Sequence, residues 1–209
     1  RSPSRGLGDV YKRQTLRGVF RPLNEAGELL HLGVGGLFRR PDREKEQKDR
    51  LVTFSSNGVT GLSVPSVLDI EINNVKHTFQ WNLEALYLSR RFFLQGEYLN
   101  MNVQRAQAAC YRPWGAYIQG GFLIKGNFFN YDEWDALPLT PKESKSLLLS
   151  GRINVTNLND GPVKGGMQQD ITVGLNYYMN KFLILKLNGS VVWTKDMEEV
   201  KKSFGCLLY

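Results

Sequence analysis

Five cations hold the positions from which this sequence could do chemistry: Arg17, Arg21, Lys125, Arg152 and Lys186. Each stands on the polar side of a stretch in which apolar and polar residues alternate. An arginine fork grips two phosphate oxygens at once, whereas a lysine acts as a point charge. A row of such groups on one face is therefore suited to holding anions. The competing uses are contact with lipid phosphates at a rim and pairing with Glu84, Glu97 or Asp170, which lie on or near the same polar faces. Little else in the chain is reactive. His31 and His77 are isolated, with no companion nucleophile or carboxylate constellation. Cys110 and Cys206 show neither metal-ligand spacing nor a disulfide framework. The glycines at 33–36 do not cradle phosphate, because no Lys-Ser/Thr follows and no helix opens after them. No enzyme, cofactor or metal is expected.

The elements that must position these cations are strands. Between Leu147 and Thr194 the alternation is clean. Leu147, Leu149, Ile153 and Val155 oppose Ser150, Arg152, Asn154 and Thr156. Ile171, Val173, Leu175 and Tyr177 oppose Thr172, Gly174 and Asn176. Leu183, Leu185, Leu187, Val191 and Trp193 oppose Lys186, Asn188, Ser190 and Thr194. Side chains alternate across a strand with period two, so each run has one apolar and one polar face. A long Gly- and Asn-rich loop at 157–169 and a tight turn at 179–181 join the three. Long loop, strand, tight turn, strand is the rhythm of an up-and-down transmembrane barrel.

The same pattern extends upstream. Strands are expected at 15–22, 29–39, 77–88, 91–104 and 114–126, with a tight turn at Ser89-Arg90. The apolar phase of 91–104 shifts near Tyr98 and Leu99, which predicts a β-bulge there. The stretch 40–76 reads as a long loop that opens with a mixed-charge run and carries a local hairpin, 51–54 against 67–72. Residues 127–146 form a connection broken by Pro138 and Pro141. The count is eight strands, or ten with the hairpin.

Composition agrees with a strand-built membrane protein. Hydrophobic residues make up 42% of the 209 and mean hydropathy is −0.33. No run approaches the roughly 20 apolar residues of a membrane helix, but a barrel strand needs only every second residue apolar. Residues 1–14 show no alternation and no signal-peptide core, and they read as a non-native, adapter-derived segment; 205–209 read as a tail of the same kind. The barrel portion is then 15–204. Three of the seven net positive charges fall in 1–14, where four basic residues meet one acid. The remainder is mildly basic, and nucleic acid is not needed to explain it.

Several stretches carry a resemblance. LNDG at 158–161, GG at 165–166, Asp170, Thr172 and GLNYYMN at 174–180 resemble the C-terminal part of the phosphate-selective porin O and P family of Gram-negative outer membranes. LLHLGVG at 29–35, FFLQGEY at 92–98 and AYIQGGFLIKG at 116–126 are similar to the same family. The resemblance implies an all-β, antiparallel up-and-down transmembrane β-barrel, incomplete here, with about 8–10 strands of 16. It further implies a homotrimer in outer-membrane lipid and lipopolysaccharide, with passive diffusion of inorganic phosphate, polyphosphate or other small anions through a basic lumen. It places Ser89-Arg90 and the 127–146 connection on the periplasmic side. The alternative is a structural or adhesive barrel that binds a partner through its long loops.

Overall fold

The computed structural model describes residues 13–25, 27–41, 50–56, 68–133, 137–141, 143–180, 182–195 and 200–208. Residues 1–12 of the segment read as non-native lie outside these, as does most of the mixed-charge run (42–49). The strands in chain order are β1 (Arg13–Glu25), β2 (Glu28–Arg39), β3 (Val52–Ser56), β4 (Leu68–Ile72), β5 (Val75–Leu88), β6 (Phe92–Arg105), β7 (Trp114–Lys125), β8 (Phe129–Asp132), β9 (Leu137–Pro141), β10 (Ser146–Asp160), β11 (Val163–Tyr178), β12 (Ile184–Lys195) and β13 (Val200–Leu208). None of the described residues is helical.

Nine strands form one antiparallel sheet in the order β1-β2-β5-β6-β7-β10-β11-β12-β13. β3–β4 and β8–β9 are separate two-stranded ribbons inserted between neighbours. β1 and β13 are the edges of the sheet, which is not closed: this is an incomplete up-and-down transmembrane barrel. The local hairpin expected within 40–76 is β3–β4, with Val52 opposite Ile72. The strand count departs from eight or ten because β13 adds a ninth. Gly205–Leu208, expected to be a non-native tail, lie opposite Leu187–Ser190 of β12.

The two faces of the sheet invert the usual order of a water-soluble protein. Leu16, Val34, Leu83, Ile118, Ile153 and Val173 are exposed, the last two at 54%. Gln168, Asp170, Ser190 and Thr194 are buried on the other face. In water, each exposed apolar side chain would forfeit about 25 cal/mol per Å². Against acyl chains it forfeits nothing, which is why a barrel strand turns this face outward. On the outer face, Trp81 lies 5.4 Å from Tyr98, and Tyr98 stacks on Trp114 at 6.0 Å. Trp114 begins β7, and such a row of aromatics suits the membrane–water interface.

Both ribbons fold onto the inner, polar face. β3–β4 brings Phe54, Ile70 and Ile72 against Val75, Met101, Val103 and Tyr111, and Ser56 Oγ donates to Gln168 Oε1 at 2.7 Å. This corrects the expected bulge at Tyr98–Leu99. β6 pairs with β5 without interruption from Phe93 to Gln104. Met101 and Val103 stay on the inner face, and that face turns apolar there because the ribbon covers it. β8–β9 packs Phe129 and Tyr131 against Leu29, Leu86, Leu88 and Phe93 near the opposite rim.

The long loop expected at 157–169 is also corrected. β10 and β11 remain paired through most of it and turn only at Gly161-Pro162. The residues that read as loop form irregularities in a long hairpin: Gly161 and Gly166 take φ of 55° and 85°, and Asn159 Oδ1 accepts from Gly166 N at 3.0 Å. Glycine supplies positive φ without a Cβ clash.

Tyr111 locks this end. Its side chain is fully buried, its hydroxyl donates to the Leu158 carbonyl at 2.8 Å, and burial, helped by Asp160, pushes its pKa from 10.0 up to about 12. The folded state favours the neutral phenol, so this stabilisation is complete below pH about 10 and is lost as pH rises through about 12. Tyr111→Phe is expected to cost about 1 kcal/mol at neutral pH through the lost hydrogen bond. It should also remove a phenol that titrates at about 12 from a tyrosinate absorbance titration.

Candidate anion path on the inner face

The inner face is built from the polar phase of each strand, and register decides which groups meet. Arg17 on β1 lies opposite Gly35 on β2; Gly33 and Gly35 lie opposite Glu84 and Asn82 on β5. A Cβ at Gly33 would collide with the Glu84 carboxylate, and one at Gly35 with the Asn82 amide. The glycines thus open a lane across β2. Through it Glu84 Oε1 receives Arg17 Nη2 at 2.6 Å and Nε at 2.8 Å. His31 Nε2 lies 3.2 Å from the same oxygen, and Nδ1 lies 2.7 Å from the Tyr131 hydroxyl. A neutral imidazole protonated on Nε2 satisfies both, donating to Glu84 and accepting from Tyr131. His31 is therefore not the isolated strand residue expected; its partners come from β5 and β8.

The next group crosses β5, β6, β7 and β10. Asn82 Nδ2 donates to Glu97 Oε1 at 2.9 Å. The Tyr117 hydroxyl accepts from Gln95 Nε2 at 3.1 Å. The Arg152 guanidinium lies over the Tyr117 ring, 4.0 Å from its centre, a cation–π contact. Beyond it, Asp170 is 2% exposed. Its Oδ2 accepts from Asn154 at 2.9 Å and Gln168 at 3.4 Å.

The five expected cations do not converge. Arg17 is neutralised by Glu84. Arg21 sits toward the β8–β9 rim, with Nη1 3.9 Å from Glu133; that nitrogen is buried and makes no hydrogen bond. Lys125 ends β7 opposite Leu147, where the register slips, and is exposed at the rim. Lys186 is exposed on β12 opposite Asn176. Arg152 is exposed mid-sheet, and among the described residues no carboxylate lies within 4 Å of it. Sequence reasoning missed Tyr117 and the His31–Glu84–Tyr131 cluster. The available signal was the inner-face run His31, Gly33, Gly35 beside an acid-bearing strand.

Glu84→Gln is expected to release the charge of Arg17 into the lumen. Anion-over-cation permeability should then rise at least about twofold, read from the zero-current potential of the complete porin in a salt gradient.

Two comparisons agree with this geometry. Porin O of Pseudomonas aeruginosa is 27% identical over 144 residues, covering 59% of this chain. The chain spans about a third of that relative's length, 32%. Residues 4–202 match the family described as Phosphate-selective porin O and P. With an apolar outer face, a polar inner face and up-and-down strands to match, the chain belongs to that outer-membrane porin family of Gram-negative bacteria.

Proposed function

We propose that this chain is part of the wall of a passive outer-membrane porin whose inner face attracts small anions, inorganic phosphate among them. The observation that carries this reading is Arg152: a guanidinium on the water-filled side of the sheet, held on an aromatic ring and exposed. A fixed cation beside a low-dielectric wall raises the local anion concentration and opposes cation entry. Arg21, Lys125 and Lys186 add positive potential toward the rims, and the name of the relative, a porin, supports conduction. No chemical step is required of the protein. The assembly is a homotrimer seated among outer-membrane lipid and lipopolysaccharide, and longer anions such as polyphosphate use the same lumen.

The test is a planar bilayer carrying the complete porin. A potassium chloride gradient should give a zero-current potential of anion-selective sign, and added inorganic phosphate should reduce chloride current by competing for the cations. A barrel that conducts nothing, or prefers potassium, sinks the proposal and leaves a structural or adhesive role.

A further inference from the structure

The inner face holds the same motif twice, with opposite results. In each case an acid and an arginine stand two strands apart in the sheet, with one strand between them. On one side the acid is Glu84 of β5, the cation is Arg17 of β1, and the intervening residues on β2 are Gly33 and Gly35. Acid and cation meet at 2.6 Å. On the other side the acid is Glu97 of β6, the cation is Arg152 of β10, and the intervening residues on β7 are Tyr117, opposite Glu97 and Asn154, and Gln119, opposite Gln95 and Arg152. Here acid and cation do not meet, because Tyr117 stands between them with its ring face carrying the guanidinium at 4.0 Å, while Glu97 accepts from Asn82 Nδ2 at 2.9 Å.

We infer that Tyr117 is a positioning residue that keeps Arg152 unpaired, and so sets the anion selectivity of this part of the wall. The inference rests on the proposed role of Arg152 and deepens it. The physical reason is the difference between two partners for one cation. A carboxylate cancels the charge that an anion would feel, whereas an aromatic ring holds the guanidinium through its quadrupole and leaves the net charge in place. The ring uses the guanidinium's face, so the N–H groups at its edge stay free to donate to a passing anion. The flanking acid on the other side is also occupied: Asp170 accepts from Asn154 and Gln168. Amide donors thus hold both neighbouring carboxylates away from the arginine. Around Arg17 the glycines leave the lane open, and the charge is consumed.

The experiment opens the Tyr117 position of the lane across β7. In the complete porin, Tyr117→Gly is expected to let Glu97 reach Arg152, lowering the chloride-over-potassium permeability ratio at least about twofold. Tyr117→Ala serves the same purpose should the glycine weaken the strand. Adding Glu97→Gln to either variant should restore the ratio, which a merely structural defect would not allow. Tyr117→Phe keeps the ring without the hydroxyl, and should hold the wild-type ratio. The inference is overturned if Tyr117→Gly and Tyr117→Ala assemble with an unchanged ratio, or if Glu97→Gln gives no rescue, while Arg152→Gln still lowers the ratio. If Arg152→Gln itself leaves the ratio unchanged, the underlying reading of Arg152 fails as well.

Discussion

Val173→Arg is expected to destabilise the barrel by about 2–4 kcal/mol, the range for a basic side chain facing lipid near the bilayer midplane. Val173 is 54% exposed and lies mid-strand, opposite Gly151 on β10 and Gly189 on β12. On a soluble sheet such a position would accept arginine at little cost, within about 0.5 kcal/mol. The control is one residue away. Thr172→Arg puts the same side chain on the inner face, opposite Arg152 and beside Ser190, where water solvates it, and should cost no more than about 1 kcal/mol. Urea unfolding of the complete porin in phospholipid vesicles measures both. Equal costs at 172 and 173, or a stabilising Val173→Arg, would defeat the lipid-facing assignment and with it the reading of the sheet as a barrel wall.

The period-two pattern was enough to find eight strands of this sheet and to assign their faces. In a barrel every strand meets lipid on one side and water on the other, so composition alternates along the whole strand. Leu149, Ile153, Ile171, Val173, Leu175, Leu185 and Leu187 all fall on the exposed face as their spacing implies. The pattern misled where the inner face is not wet. Met101 and Val103 break phase because the β3–β4 ribbon covers them, and no local signal separates that from a bulge. It was silent where strands leave the membrane. At 157–169 neither face meets lipid, so the Gly- and Asn-rich sequence reads as loop although the backbone stays largely paired. The candidate site was half legible. Alternation placed Arg17 and Arg152 on the polar face, but their fates depend on groups more than 30 positions away in sequence, brought near only by register. That Glu84 crosses β2 to cancel Arg17, while Tyr117 stands between Glu97 and Arg152, follows from pairings the sequence does not state.

Arg152→Glu should therefore change permeation more than Arg17→Gln. A unit charge about 8 Å from an ion's path contributes roughly 0.5–2 kcal/mol as the effective dielectric falls from about 80 to about 20. Reversal changes two units, so chloride permeability should fall by about fivefold at the watery limit while potassium permeability rises, and by more where the wall excludes water. Arg17 begins from cancellation: Arg17→Gln leaves Glu84 unpaired and adds one net negative charge, beside His31, 3.2 Å from that carboxylate. Zero-current potentials of the two variants in the same salt gradient distinguish the two environments. An Arg17→Gln effect as large as that of Arg152→Glu would mean that the Arg17–Glu84 pair is open in the working pore, and that the glycine lane does not neutralise this part of the wall.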